Sequence, residues 1–271
     1  MSSAKLWSSS PILRSFISCM SRGQSSRFFF NQSISKQMNS FGKMSQESLD
    51  FVQLTNENAS EISQFLIDHF LIEEPLNRAS GMSCKNFRPF VDKLLERTLN
   101  IPFSFALVQP ESKKIVACVM SSLWTNEKNN GLETTNSENH SDEFTFETGQ
   151  KKGVEVIGKI LTGLHAKFYE INPEINKVLH LEILSVAKEY QRRGLASKLM
   201  NKTEDVERMK EFECAGIASE LSSLANQCLM KKRGYTVLAE TLLSSECDDS
   251  GNPLIVPDDG TDRVVLAYKK F

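Results

Sequence analysis

One short segment constrains the fold of this chain more than any other: a buried strand that turns into a helix through the pattern Gln-x-x-Gly-x-Ala at residues 191–196. The strand ends near Val186, and apolar residues at helical spacing resume at Leu195. A helix N terminus presents unpaired N–H groups and the positive end of the helix dipole. Glycine and alanine let those amides approach a bound anion closely. The sequence therefore predicts a backbone site for a phosphate or pyrophosphate. Three basic side chains add positive charge there: Arg192, Arg193 and Lys198.

The spacing of apolar residues predicts alternating elements in the order β, α, α, β, β, α, β, α, β, α, β and a final β. Strands are predicted at 49–54, 103–108, 115–124, 178–186, 214–219, 235–238 and 264–268. Helices are predicted from an N-cap at Asn56 to a point before Pro75, and at 85–99, 154–169, 194–210 and 222–232. The strand at 178–186 is apolar on both faces and is therefore expected at the centre of the sheet. This order predicts an α/β fold with a mixed central β-sheet flanked by helices on both faces.

The first 47 residues differ in composition from the rest. Residues 1–46 hold six of the chain's 32 basic residues and none of its 34 acidic ones. An acid-free start rich in serine and arginine is typical of an organelle transit peptide, and it also fits a disordered tail, because core-forming residues are sparse. We therefore divide the chain into a head at 1–47 and a folded domain at 48–271. Mitochondrial placement and cytoplasmic placement, with Met44 as a cytosolic start, both stay open.

Several classes of protein are not indicated. The net charge of −2 argues against general affinity for nucleic acid, and no apolar run approaches the roughly 18 residues of a membrane span. The six cysteines are scattered without a C-x-x-C pair, and there is no secretory signal. Neither a metal site, nor a disulfide framework, nor secretion is therefore predicted. The polar stretch 126–152, which contains His140, is expected to be a mobile surface loop.

The strand, turn and helix around residues 191–196 resemble motif A of the GNAT N-acetyltransferases, written Q/R-x-x-G-x-G/A. The resemblance implies that acetyl-CoA is the co-substrate, that the loop amides hold its pyrophosphate, and that the backbone of residues 184–186 pairs with its pantetheine arm. It implies no metal. The cofactor-binding residues that follow are Leu184, Ser185, Val186, Gln191, Arg192, Arg193, Gly194, Leu195, Ala196 and Ser197.

A second resemblance narrows the family. Residues 73–77, Glu-Glu-Pro-Leu-Asn, resemble the acidic-Glu-Pro-Leu-Asn segment of the invertebrate-type arylalkylamine (dopamine) N-acetyltransferases, and residues 222–235 resemble their Ser-Ser-x-x-Ser segment before a helix. The resemblance implies that Glu74 is the general base that removes a proton from the amine. It places the family's first serine at Ser222, whereas Asn226 replaces the second, and an amide cannot relay a proton as a hydroxyl can. From the residues alone, Glu74 stays open as an acidic loop residue and Ser222 as a helix N-cap.

His180 is a competing candidate for the base. Strand alternation places the side chains of His180 and Glu182 on one face, together with Val186. The segment is similar to the His-Leu-His of the vertebrate-type arylalkylamine acetyltransferases, with Glu182 in place of the second histidine. A histidine beside a carboxylate makes a plausible base near neutral pH. A core histidine satisfied by a neighbour is the alternative.

These resemblances imply an acetyl-CoA-dependent N-acetyltransferase that transfers an acetyl group directly to a primary amine, in particular a small arylalkylamine. Three side chains are expected either in an aromatic substrate pocket or in the core: Phe87, Phe90 and Trp124. Acetylation of a polyamine or of a protein amine is the alternative within enzymes, and a non-catalytic acyl-CoA-binding module is the alternative outside them. A small-molecule amine is the expected partner, without nucleic acid or membrane. The oligomeric state is not defined by the sequence.

Overall fold

The computed structural model describes residues 48–126 and 152–271, and residues 48–271 form one compact unit. In this part of the chain seven strands form a single sheet in the order β1-β2-β3-β4-β5-β7-β6. The strands are β1 (Asp50–Gln53), β2 (Phe105–Val108), β3 (Ile115–Thr125), β4 (Lys177–Val186), β5 (Gly216–Leu221), β6 (Thr236–Leu242) and β7 (Arg263–Lys270). The predicted hairpin of β2 and β3 and the central position of β4 are confirmed. The predicted loop at 126–152 lies almost entirely outside the described residues.

Helices cover both faces of this sheet, as the sequence predicts. They are α1 (Ala59–Phe65), α2 (Leu71–Glu73), α3 (Pro75–Ser80), α4 (Cys84–Thr98), α5 (Lys152–Ile171), α6 (Leu195–Thr203), α7 (Val206–Glu211) and α8 (Leu224–Lys232). One face packs Phe87 of α4 and Phe168 of α5 into a first core, and the other packs Leu199 of α6 and Met209 of α7 into a second. Among the described residues, no helix is both long and apolar enough to cross a bilayer.

Several predicted helix boundaries differ from the structure, and in two of them a side chain caps a different backbone position. The cap at the first helical turn is Thr55 and not Asn56, because the Thr55 hydroxyl accepts a hydrogen bond from the amide of Glu57. The predicted helix at 194–210 is two helices, because Asp205 caps a new start by accepting from the amide of Arg208 at 3.2 Å. Local capping therefore decides where these helices begin.

The only parallel pairing in the described sheet joins β4 to β5, and it is short. It contains the pairs Leu179–Ile217 and His180–Ala218, although β4 continues to Val186 and β5 to Leu221. Immediately after these two pairs, the Ser219 hydroxyl donates a hydrogen bond to the carbonyl of Leu181 at 2.8 Å. Beyond this point the two strands separate, and we call the resulting opening the fork. It leaves the β5-facing edge of β4 without a strand partner.

A β-bulge in β4 changes which side chains share a face. Ile183 pairs with Met120 and Leu181 pairs with Ser121, so Glu182 has no partner across the β3–β4 ladder. His180 and Glu182 remain together, with His180 Nδ1 3.3 Å from Glu182 Oε1. Val186 packs against the second core on the opposite face. The prediction that Val186 shares a face with His180 and Glu182 is therefore wrong, because the extra residue at 182 shifts the alternation.

Two glycines of this fold respond oppositely to one added methyl group. A Cβ at Gly216 in β5 would meet the carbonyl oxygen of Lys269 and lie 2.7 Å from Cε2 of Tyr268, whereas a Cβ at Gly163 in α5 would meet nothing within 4 Å. We expect Gly216→Ala to lower the free energy of unfolding by about 1–3 kcal/mol and Gly163→Ala to raise it by about 0.5–1 kcal/mol. Urea unfolding of the two variants measures both. Equal effects would contradict the close packing of β5 on β7.

Candidate active site

The fork opens into a cavity of about 500 Å³. Its walls are the diverging ends of β4 and β5, the loop that leads into α6, the start of α8 and residues 70–78. Nine of the ten predicted cofactor-binding residues line it: Leu184, Ser185, Val186, Gln191, Arg192, Gly194, Leu195, Ala196 and Ser197. The tenth, Arg193, is not part of the lining. One concave surface therefore brings together segments that are distant in sequence.

Side chains of the loop between β4 and α6 hold its shape through hydrogen bonds to its own backbone. The side-chain amide of Gln191 donates a hydrogen bond to the backbone carbonyl of Val186 at 3.2 Å. The guanidinium of Arg193 donates to the carbonyl of Glu189 at 2.7 Å and lies 4.9 Å from the centre of the Tyr190 ring. Arg193 therefore holds the loop in shape, whereas Arg192 faces the cavity.

The backbone of this loop has the conformation that an anion site requires. Arg192 and Gly194 have positive φ angles of 59° and 78°, and alternation of such residues turns successive N–H groups towards one point. Gly194 directly precedes α6 and contributes no side-chain cap, so the first amides of the helix keep free hydrogen-bonding capacity. A Cβ built on Gly194 would have no atom within 4 Å. Gly194 and the first three residues of α6 line the large cavity, so the space beside their amides is open and fits a phosphate group.

Glu74 lies at the junction of α2 and α3, where the chain is extended before Pro75. Its Oε2 accepts a hydrogen bond from the amide of Asn77 at 2.6 Å, and its Oε1 is buried without a hydrogen bond among the described residues. Burial raises the pKa of Glu74 to about 7, against the opposing effects of the Asn77 amide and the nearby Ser222 hydroxyl. A carboxyl group with this pKa exchanges its proton near neutral pH.

His180 lies in a buried row of alternating charges that crosses the sheet. Its Nε2 is 2.7 Å from Oε2 of Glu220 in β5, and its Nδ1 faces Glu182. Glu182 also accepts two hydrogen bonds from Arg97 of α4, at 2.7 and 3.0 Å, and one from Ser122 at 2.7 Å. We call Arg97, Glu182, His180 and Glu220 the charge row.

The charge row shifts the pKa values of His180 and Glu182. Burial alone would lower the pKa of His180, but the negative charges of Glu182 and Glu220 outweigh burial and raise it to about 10. Burial likewise opposes ionisation of Glu182, yet Arg97 and His180 hold its pKa well below the usual range. His180 is therefore an imidazolium at neutral pH. Its ring also stacks on Trp124 at 3.7 Å between centroids, which restricts its movement.

A smaller cavity of about 70 Å³ lies behind the fork, and we call it the inner pocket. It shares Phe70, Glu74, Glu182, Glu220 and Ser222 with the large cavity. Its remaining lining residues are Leu76, Asn77, Phe87, Phe90, Ile157, Leu161, His180 and Ile183. The inner pocket thus combines aromatic rings with carboxylates. Of the three predicted aromatic residues, Phe87 and Phe90 line it, whereas Trp124 packs behind His180.

Ser222 lines both cavities and is not the helix cap that sequence reasoning left open. The cap of α8 is Ser223, whose hydroxyl accepts from the amide of Asn226 at 3.3 Å. Asn226 lines the large cavity. The structure therefore brings Glu74, His180 and Ser222 to one place.

Arg97 and Glu220 were missed by sequence reasoning. Arg97 reads as one more charged residue of an amphipathic helix, and no motif marks it. Glu220 carried a usable signal, because it is a charged side chain within a strand of otherwise small and apolar residues. A carboxylate at such a position is seldom buried without a partner.

Comparisons with known proteins agree with this architecture. A family model described as acetyltransferase (GNAT) family matches residues 82–235. A comparison with curated proteins found no match. Arylalkylamine N-acetyltransferase 2 from Aedes aegypti is similar in structure, with a TM-score of 0.69 and 18% identity over 82% of this chain and 99% of that one. The Drosophila melanogaster polyamine N-acetyltransferase is similar in structure with a TM-score of 0.63 and 17% identity, over 83% of this chain and 100% of that one. At these identities the likeness establishes a shared fold.

A charge placed at Gly194 tests the anion site. We expect Gly194→Asp to abolish coenzyme A binding, because a carboxylate would lie against the pyrophosphate. Gly194→Asn is the matched control, since asparagine has the same shape without the charge and tolerates positive φ. Calorimetry on folded variants should show a much larger loss for aspartate than for asparagine. Undiminished affinity of the aspartate variant would refute the anion site.

The charge row predicts a pH-dependent stability. His180→Gln leaves two buried carboxylates without their shared cation, so we expect it to lower the free energy of unfolding at neutral pH by about 3–5 kcal/mol. Because the folded pKa of His180 is raised, its contribution is complete below the unfolded value of about 6.5 and is lost as the pH rises through about 10. The difference from wild type should therefore narrow between these values. Denaturant unfolding across this pH range measures the difference in unfolding free energy between wild type and His180→Gln, with a substitution at half-buried His69, His69→Gln, as the control. A difference that stayed constant with pH would contradict the charge row.

Proposed function

This chain belongs to the acetyltransferase (GNAT) family, and we propose that it transfers the acetyl group of acetyl-CoA to a small amine in the inner pocket, with Glu74 as general base. The observation that carries the proposal is the position of Glu74. Its buried carboxyl group, with a pKa of about 7, lines both the large cavity and the inner pocket. A base at that boundary can reach an amine that approaches a thioester in the fork.

Acetyl-CoA would occupy the large cavity. The open amides at the start of α6 suit its pyrophosphate, with Arg192 adding positive charge. The unpaired edge of β4 at residues 184–186 suits the amide groups of its pantetheine arm, since the fork leaves that edge without a strand partner. The acetyl end would then lie towards the base of the fork, beside Glu74 and Ser222.

The reaction needs a neutral amine, although a free alkylamine is mostly an ammonium ion at neutral pH, with a pKa of roughly 10. The Glu74 carboxylate takes one proton from the ammonium, directly or through a water molecule. The nitrogen lone pair then attacks the thioester carbonyl carbon, and the tetrahedral intermediate collapses as the carbon–sulfur bond breaks. Coenzyme A leaves as a thiolate and takes up the second proton, which the nitrogen gives up as the amide forms. Glu74 then returns the first proton to solvent. No covalent bond to the protein is required.

The electrostatics favour Glu74 over His180 as the base. His180 already carries a proton at neutral pH, because Glu182 and Glu220 raise its pKa to about 10. A group that is already protonated cannot accept the proton of the amine. We assign His180 a positioning role within the charge row, and we assign Ser222 the role of a hydroxyl that tunes the neighbouring Glu74 carboxyl group.

Two features of the inner pocket bear on the substrate. Its aromatic side, with Phe70, Phe87 and Phe90, favours an arylalkylamine. Its acidic side, with Glu182 and Glu220, favours a substrate with positive charge, and a polyamine is therefore the second candidate. The Aedes and Drosophila proteins named above carry these two descriptions. We assign the activity to residues 48–271, and we propose the mitochondrion or the cytoplasm as its compartment.

Replacing Glu74 tests the assignment of the base. We expect Glu74→Gln to lower kcat by roughly 10²–10⁴ while acetyl-CoA affinity is kept. The carboxylate form exists only above its pKa, so wild-type kcat/KM should rise with pH through about 7, and this acidic limb should be absent from the variant. Both kcat and the pH profile of kcat/KM are measured from the release of free coenzyme A when the protein is given acetyl-CoA and each amine of a panel. Variants are compared on the same amine, because amines also titrate.

Two further variants make this test decisive. Exposed Glu96 in α4 offers a matched control, and Glu96→Gln should behave as wild type. His180→Gln should keep the acidic limb, because His180 does not titrate there. A near-normal kcat for Glu74→Gln beside a loss of the acidic limb in His180→Gln would reverse the assignment.

A further inference from the structure

We propose that Glu220 is a specificity-determining residue that binds the positively charged nitrogen of the incoming amine before Glu74 removes its proton. The proposal rests on the proposed function, because it concerns the same pocket.

Glu220 lies where the large cavity meets the inner pocket. It belongs to β5, just beyond the last residue that pairs with β4, so its side chain is at the base of the fork. It lines both the large cavity and the inner pocket. Its side chain is only 3% exposed, so a charge on it is poorly screened by solvent.

The hydrogen bonding of Glu220 is incomplete. Oε2 is held by His180, whereas Oε1 is buried and has no partner among the described residues. Glu74 is in the same state, with one oxygen on the amide of Asn77 and the other buried without a hydrogen bond. Buried acceptors without donors are costly and uncommon in folded proteins. Two of them line one small pocket, and an ammonium group has three N–H donors to offer.

The charges of the pocket lead to the same ligand. Arg97 and His180 balance Glu182 and Glu220, so the charge row is neutral as a unit. Ionised Glu74 then leaves the pocket with one unbalanced negative charge. A single monovalent cation restores neutrality, and burial makes that balance energetically important.

The partial neutralisation of Glu220 also suits the chemistry. A carboxylate that held the ammonium alone would stabilise its charged form and oppose deprotonation. The imidazolium of His180 partly neutralises Glu220 through Nε2, while Arg97 at the other end of the charge row binds Glu182. Glu220 can therefore attract the cation without fixing its proton. The proton passes from nitrogen to the Glu74 carboxylate and leaves a neutral amine and a carboxylic acid.

The test compares a cationic amine with a nearly isosteric neutral one. Phenethylamine is cationic at neutral pH, whereas fluorine atoms in β,β-difluorophenethylamine lower its basicity and leave it far less charged. We expect Glu220→Gln to lower kcat/KM for phenethylamine by about 10- to 100-fold, chiefly through KM, and to change that for the difluoro amine much less. The KM for acetyl-CoA should stay the same. Exposed Glu240 in β6 provides the matched control, Glu240→Gln.

Binding measurements separate this proposal from the proposed function. Calorimetry of each amine with the protein and coenzyme A needs no turnover. If wild type binds phenethylamine more tightly than the difluoro amine and Glu220→Gln loses this preference, while wild type acetylates neither amine, the proposed function fails and the Glu220 site stands. If wild type acetylates both amines and Glu220→Gln affects both equally, Glu220 has only a structural role and the proposal is overturned.

Wild type and a second variant cover the case in which Glu220→Gln does not fold. Glu220→Asp keeps the charge and shortens its reach, so it should retain the preference for the cation with a higher KM. In wild type itself, equal affinity for the cationic and the difluoro amine would overturn the proposal without any variant.

Discussion

The short parallel pairing of β4 and β5 is the constraint on which the candidate site depends. Two residue pairs hold these strands together, and the strands then separate into the fork. The fork exposes one edge of β4, carries the loop before α6 at one side, and leaves a cavity of about 500 Å³ between the strands. Because a sheet edge and a helix N terminus both offer free backbone groups, most of the predicted cofactor surface needs few specialised side chains.

The buried side chains of the candidate site, by contrast, differ in how readily they hold a proton. Glu74 and Glu182 are both buried carboxyl groups of one site, yet their pKa values move in opposite directions. Burial raises the pKa of Glu74 against the opposing effects of the Asn77 amide and the Ser222 hydroxyl, whereas Arg97 and His180 lower the pKa of Glu182. Environments that separate the pKa values of neighbouring groups are typical of sites that perform acid–base chemistry. The proposal assigns proton transfer to Glu74 and fixed charge to the charge row.

Local patterns predicted the part of this protein that is encoded locally. The strand, turn and helix around Gly194, the central β4 and the placement of helices on both faces follow from apolar spacing and from a glycine at positive φ. The bulge at Glu182 could not be predicted, because it depends on register with β3 and not on the composition of β4. The protonation state of His180 could not be predicted either, because it depends on residues that are distant in sequence. Glu220 lies 40 residues from His180, and Arg97 lies 85 residues from Glu182. A histidine beside a carboxylate looks like a base until the second carboxylate is known.

A crystal structure with a bisubstrate conjugate, coenzyme A joined through an acetyl bridge to phenethylamine, would test the central claim most directly. We expect the pyrophosphate on the amides at the start of α6, the pantetheine arm along the open edge of β4, and the amine nitrogen in the inner pocket within hydrogen-bonding distance of Glu74. A conjugate whose amine half lay outside the inner pocket, with Glu74 out of reach of the nitrogen, would contradict the account.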